Sequence, residues 1–195
     1  MADSTHADAA SVGYDGTETP TGRLGIWWFL ASEIVIFGGL ICCYLLFRWR
    51  HPEWGAEAVH TLNAAGAFNT LVLLTSSLTV VLAHHAASHG DHRKAANYLV
   101  WTLVGGLIFL CVKVYEYSHE IAEGFVPARS LFWSFYYAMT GLHALHVIGG
   151  MVAILIVMLA VRKSREPQRV EYVGIYWHFV DVVWIFLFPL LYLAS

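Results

Sequence analysis

Glu33 lies in the apolar stretch Ala31-Ser32-Glu33-Ile34-Val35-Ile36-Phe37. A carboxyl in such surroundings either hydrogen-bonds a neighbouring helix as the neutral acid, takes part in proton movement, or holds a lipid or gas path. Later in the chain Glu171, His178 and Asp181 recur at +7 and +10. On a helix that spacing puts them within roughly 80° of one another. They form one polar stripe with Trp177 and Trp184 beside it and Gly174 on it, a pattern that fits either a clamp between helices or a catalytic use. At comparable depth from the inner end, His178 is a candidate hydrogen-bond partner for Glu33. His143 and His146, within Thr140-Gly141-Leu142-His143-Ala144-Leu145-His146, are i, i+3 neighbours of the kind that ligate metal or haem. Haem ligation in a bundle also needs histidines on facing helices, and only His178 is similarly placed, so packing histidines are the expectation. Lys113 and Glu116 are expected to pair and to snorkel at the outer end of a helix. His84, His85, His89 and His92 cluster beside Asp91, Arg93 and Lys94, a weak metal site or a solvated loop.

The elements that position these groups follow from composition. Of 195 residues, 58% are hydrophobic and 13% charged, far below the roughly 25% charged share of soluble domains. A chain of this length cannot hide that much apolar surface in one core, so lipid must solvate part of it. Five apolar runs, about 26–47, 65–86, 97–117, 131–160 and 172–193, each reach the ~20 residues that cross a bilayer as helix. The fold class is therefore all-α, a polytopic bundle of five transmembrane helices. Only Glu33, Lys113, Glu116 and Asp181 among the charged residues fall inside the runs. The second run also carries Asn69, Thr70, Thr75, Ser76, Ser77 and Thr79, small polar groups that join membrane helices.

Residues 1–23 are polar and acidic, read as a flexible tail and not as a signal peptide, and 24–195 as the membrane domain. Arg23, Arg93, Lys94, Arg162, Lys163, Arg165 and Arg169 fall on one side, against Arg48, Arg50 and Arg129 on the other. That imbalance predicts N-in, C-out. A net charge of −3 excludes a basic field for nucleic acid. Cys42, Cys43 and Cys111 lack zinc or redox spacing and read as small packing residues.

Together these segments resemble subunit III of the haem-copper oxidases, the cytochrome c oxidase family. The resemblance rests on Ser32-Glu33, Asn69-Thr70 with Leu73-Leu74 and Ser76, Ala83-His84-His85, Glu116-Tyr117, the block Thr140 to Val147, and Glu171 followed by Tyr176-Trp177-His178-Phe179-Val180-Asp181-Val182-Val183-Trp184. It implies a non-redox subunit of a respiratory oxidase in the bacterial plasma (inner) membrane. Such a subunit has no catalytic residue and no metal of its own. It packs on subunit I, supports proton uptake and durability in turnover, and holds phospholipid in a cleft, with haem and copper in subunits I and II. Glu33 matches the family's carbodiimide-reactive glutamate; His143, His146, Glu171, His178 and Asp181 fall on its polar positions. The seven-helix mitochondrial form has two further helices before the Ser-Glu helix, where this chain has the acidic tail, as in five-helix bacterial forms. Without that wall the cleft must be completed by another subunit or be more open. The alternatives are subunit III of a quinol oxidase, the accessory protein of a nitric oxide reductase and, from a different class, an independent transporter or membrane cytochrome.

Overall fold

The computed structural model describes residues 21–162 and 168–193. The sequence regarded as a tail lies, up to residue 20, outside the described residues, and positions 21 to 23 open the first helix. In chain order the helices are α1 (Thr21–Arg50), a short α2 (Trp54–Ala58), α3 (Asn63–Ser88), α4 (His92–Ala122), α5 (Leu131–Arg162) and α6 (Gln168–Phe188). A π-helical turn, Pro189–Leu193, continues α6. Among the described residues every regular element is a helix, the structure in which a single segment satisfies its own backbone groups in hydrocarbon. Five of them, α1, α3, α4, α5 and α6 with its π turn, are long and apolar enough to span a membrane.

The helices outrun the apolar windows because nothing stops them at the lipid boundary. What ends them is backbone chemistry. Gly90 after α3 and Gly124 after α4 have φ of 76° and 82°, the left-handed region open to glycine. Asp91 then starts α4, its carboxylate accepting from the Lys94 backbone N–H at 3.1 Å and pairing with Lys94 Nζ at 2.9 Å. The Lys94 side chain, and next its backbone N–H, hold the Asp91 carboxyl below the usual carboxylate range.

Helices α3, α4, α5 and α6 close into a ring in which each packs on the next, and α1 lies outside it against α6 and α5. Trp177 fills the centre. Its indole edge abuts Gly106 of α4 and Gly150 of α5, where an added Cβ would meet the ring at 3.0 Å. Gly105 has the same role between helices: a Cβ there would stand 2.7 Å from Ser76 Cβ, so α3 and α4 touch through small residues. The α1 contact is narrower. Leu30, Glu33, Phe37 and Tyr44 are its buried residues, a single stripe, while Trp28 and Trp49 are 77% and 86% exposed. All three cysteines are free and exposed on the surface of this chain. Their placement on outward helix faces leaves them to the surroundings of the chain.

Candidate functional site

Four buried polar constellations occupy the bundle. The first joins α1 to α5. Glu33, in the buried stripe of α1, meets His146, whose Nε2 lies 2.9 Å from Glu33 Oε2. His146 Nδ1 is 2.8 Å from the Leu142 carbonyl, which only accepts, so Nδ1 carries a hydrogen. The Nε2 to Oε2 contact then needs one further proton, carried by the acid or by the imidazole. Tyr176 of α6 donates to the His146 carbonyl at 3.0 Å, and the Phe37 ring stands edge-on to the imidazole. Both groups lie near the midpoints of their helices.

The pairing of Glu33 with His178 expected from matched depth is therefore corrected. His178 turns toward α3 and bonds Ser77 Oγ at 2.6 Å through Nδ1. Depth matched, but α6 presents His178 to α3, whereas α1 packs over the face of α5 that carries His146. Asp181, one turn on, is 3% exposed; among the described residues no hydrogen bond of standard geometry reaches either carboxyl oxygen, although Ser77 lies close to the group. Around this second constellation the α3 hydroxyls receive the α6 indoles. Trp177 Nε1 donates to Ser76 Oγ and Trp184 Nε1 to Thr70 Oγ1, each at 3.0 Å, while Thr79 and Thr102 join α3 to α4 at 2.8 Å. Glu171, the first member of the α6 stripe, is partly exposed and sits 3.7 Å from Arg23 of α1. The stripe is consequently divided: its first member ties α1 near an interface, and the other two face α3.

The third constellation is the densest. Lys113 Nζ lies 3.1 Å from Glu116 Oε2, 2.8 Å from Tyr192 Oη and 3.2 Å from Tyr136 Oη. Tyr136 Oη in turn lies 2.6 Å from Glu116 Oε1 and 2.9 Å from Glu120 Oε1. Lys113 and Glu116 do not snorkel: their side chains are 3% and 0% exposed. The reason is tertiary, because Tyr136 of α5 and Tyr192 of the π turn close over the ammonium from two further elements. Sequence reasoning missed Glu120, which continues the Lys113, Glu116 face at i+7 but falls beyond the apolar window; the heptad spacing was the available signal. Nothing in the spacing of Tyr136 or Tyr192 announces their part.

The fourth is His143, fully buried between Phe109 and Trp184, with no hydrogen-bond partner at either ring nitrogen among the described residues. His143 and His146, three residues apart, therefore point to different neighbours and share no ligand position. His85 and His89 lie with ring centroids 4.3 Å apart, and His89 Nδ1 donates to the His85 carbonyl at 2.9 Å. Among the described residues no three His, Cys, Asp or Glu side chains converge as metal ligands.

A family model described as cytochrome c oxidase subunit III matches residues 7–195. The chain is 37% identical over 177 residues to cytochrome c oxidase subunit 3 of Thermostichus vulcanus, covering 88% of this chain and 87% of that one. It is 36% identical over 171 residues to the cytochrome c oxidase subunit 3 of Corynebacterium diphtheriae, covering 84% and 83%. It is also 33% identical over 178 residues to the cytochrome bo(3) ubiquinol oxidase subunit 3 of Pseudomonas putida, covering 88% and 85%.

Proposed function

The chain belongs to the cytochrome c oxidase subunit III family, and from that premise we propose that it is the non-redox accessory subunit of a bacterial respiratory cytochrome c oxidase. As a multi-pass subunit III of a haem-copper oxidase it associates with other oxidase subunits. In our reading it sits in the inner membrane N-in, C-out, packs on subunit I, supports proton uptake and keeps the enzyme intact during turnover, while subunits I and II carry the haem and copper. The observation that carries this reading is the mid-span Glu33 and His146 contact. It joins two of the segments on which the family resemblance rests, and its single shared proton suits a group that buffers proton movement without redox chemistry of its own.

Phospholipid holding draws on a different surface. A groove of about 390 Å³ between α4 and α5, from Val100 to Leu110 and from Ile148 to Leu155, has an apolar lining. Toward the ends of the same two helices, Arg93, Asn97 and Arg162 line a polar hollow with His92. With N-in topology these arginines stand at the cytoplasmic headgroup level, as an anionic headgroup above an acyl chain requires.

The test is a census of the complex isolated through a tag on this chain. Subunits I and II and their haem should co-purify, with a dinuclear copper site in subunit II marking cytochrome c as donor. Lack of that copper would assign the quinol-oxidase alternative, which the similarity to a ubiquinol oxidase subunit supports. Recovery of the chain without oxidase partners, or with a stoichiometric haem band of its own, would overturn the accessory-subunit reading.

A further inference from the structure

The cluster around Lys113 contains two carboxyl groups and one ammonium, all buried together with two phenols. With both acids ionised it would carry one uncompensated negative charge in the bundle interior, an arrangement that proteins avoid by neutralising a group. Hydrogen counting identifies which one. Tyr136 has a single hydroxyl hydrogen, yet its oxygen lies within bonding distance of both Glu116 Oε1 and Glu120 Oε1, at 2.6 and 2.9 Å. The shorter contact takes that hydrogen. The other contact then needs a hydrogen from the acid. Glu116 also receives the Lys113 ammonium on its second oxygen, whereas Glu120 Oε2 has no hydrogen-bond partner among the described residues. Glu116 therefore receives both the ammonium and the shorter phenol contact, whereas the hydrogen-bonding groups beside Glu120 are the phenols of Tyr136 and Tyr137.

We propose that Glu120 is a proton-binding site, the neutral carboxylic acid of this cluster, donating from Oε1 to the Tyr136 oxygen beside the ion pair of Lys113 and Glu116. The other titratable groups around the cluster are Tyr117 on α4, Tyr137 and His143 on α5, and Tyr192 on the π turn. Of these only His143 has a side chain that can become a cation, and its ring lies between Phe109 and Trp184 with no hydrogen-bond partner among the described residues. Glu120 stands two residues before the end of α4, and its own backbone carbonyl accepts from the Phe125 N–H at 2.9 Å. A proton released there is thus one helical turn from the α4 to α5 connection. This site is separate from Glu33 and His146, in another part of the bundle, and does not depend on which electron donor the oxidase uses.

Infrared difference spectroscopy on the purified oxidase complex tests the assignment. Wild type minus E120Q should contain one carbonyl-stretch band of a protonated carboxyl group per chain, shifted in D2O. E116Q should lose the same band, because Lys113 then ionises Glu120; K113M should gain a second band, because both acids become neutral. The amide of E120Q reproduces the shape of the neutral acid, so this variant should assemble as wild type does. A difference spectrum in which E120Q removes only ionised-carboxylate bands would overturn the proposal. So would failure of E120Q to assemble while E116Q assembles normally, since that would place the charge on Glu120.

Discussion

His146 Nε2 stands 2.9 Å from Glu33 Oε2, and this contact is the mid-span polar fastening of α1 to a helix ring that it otherwise touches along one narrow stripe. The other polar ties of α1 lie toward its ends, where Arg23 meets Glu171 and Tyr44 donates to the Leu190 carbonyl. Loss of the central contact should loosen α1 without unfolding the ring. Glu33→Gln keeps a hydrogen bond to the imidazole but not the shared acid proton, so the complex should assemble and then lose activity faster during sustained turnover. Glu33→Ala, which leaves His146 unpaired, should cost about 1–3 kcal/mol more. The measurement is activity decay against subunit content; unchanged sustained activity, proton stoichiometry and lipid retention in Glu33→Gln would refute the role.

Lys113→Met removes the ammonium that faces Glu116 and Glu120. Breaking a buried ion pair from one side costs on the order of 3–5 kcal/mol, whereas Glu120→Gln should be close to neutral. Denaturant unfolding in detergent micelles should separate the two variants by that margin. Equal destabilisation would show that the ion pair does not organise this end of the bundle.

Gly105→Val should force α3 from α4, because the first added carbon already falls 2.7 Å from Ser76 Cβ. Overpacking of this kind costs about 1–3 kcal/mol, and here it acts along a whole helix contact. Reduced subunit incorporation, read as the band ratio of this chain to subunit I, is the expected result. Gly39, whose Cβ would meet nothing within 4 Å of this chain, is the internal control for a glycine without a neighbour in the subunit.

Asp91 anchors the start of α4 outside the apolar region. Because its pairing with Lys94 depresses the folded-state value, the stabilisation is present above the ordinary carboxylate range and is lost as pH falls through the depressed value. Amide exchange at residues 92 to 96 should accelerate in acid for the wild type. In Asp91→Ala it should be fast at neutral pH as well and gain little further on acidification.

Arg93→Ala together with Arg162→Ala should lower the phospholipid that co-purifies with the complex, assayed by mass spectrometry of extracted lipid. A double variant that retains the wild-type lipid content would remove the hollow of Arg93, Asn97 and Arg162 from the lipid-holding reading.

Hydropathy alone located the five spans, because crossing hydrocarbon as helix is a one-dimensional demand on length and polarity that any window of the chain either meets or fails. The same simplicity made Glu33, Lys113, Glu116 and Asp181 conspicuous, and the ordered blocks from Thr140 and from Tyr176 carried the family. Partners were another matter. Depth along a helix is legible from residue count, but the direction a side chain takes across the bundle depends on which helices are neighbours and how each is rotated. Glu33 and His178 share a depth and face different helices; His143 and His146 share a motif and meet an aromatic pocket and a carboxyl respectively. Glu120 escaped because an apolar window treats a polar residue near a helix end as solvated, and only the closure of Tyr136 and Tyr192 over Lys113 makes that end an interior. Sequence thus determined what crosses the membrane and which polar groups cross with it, and helix packing decided which of those groups are hydrogen-bonded to one another.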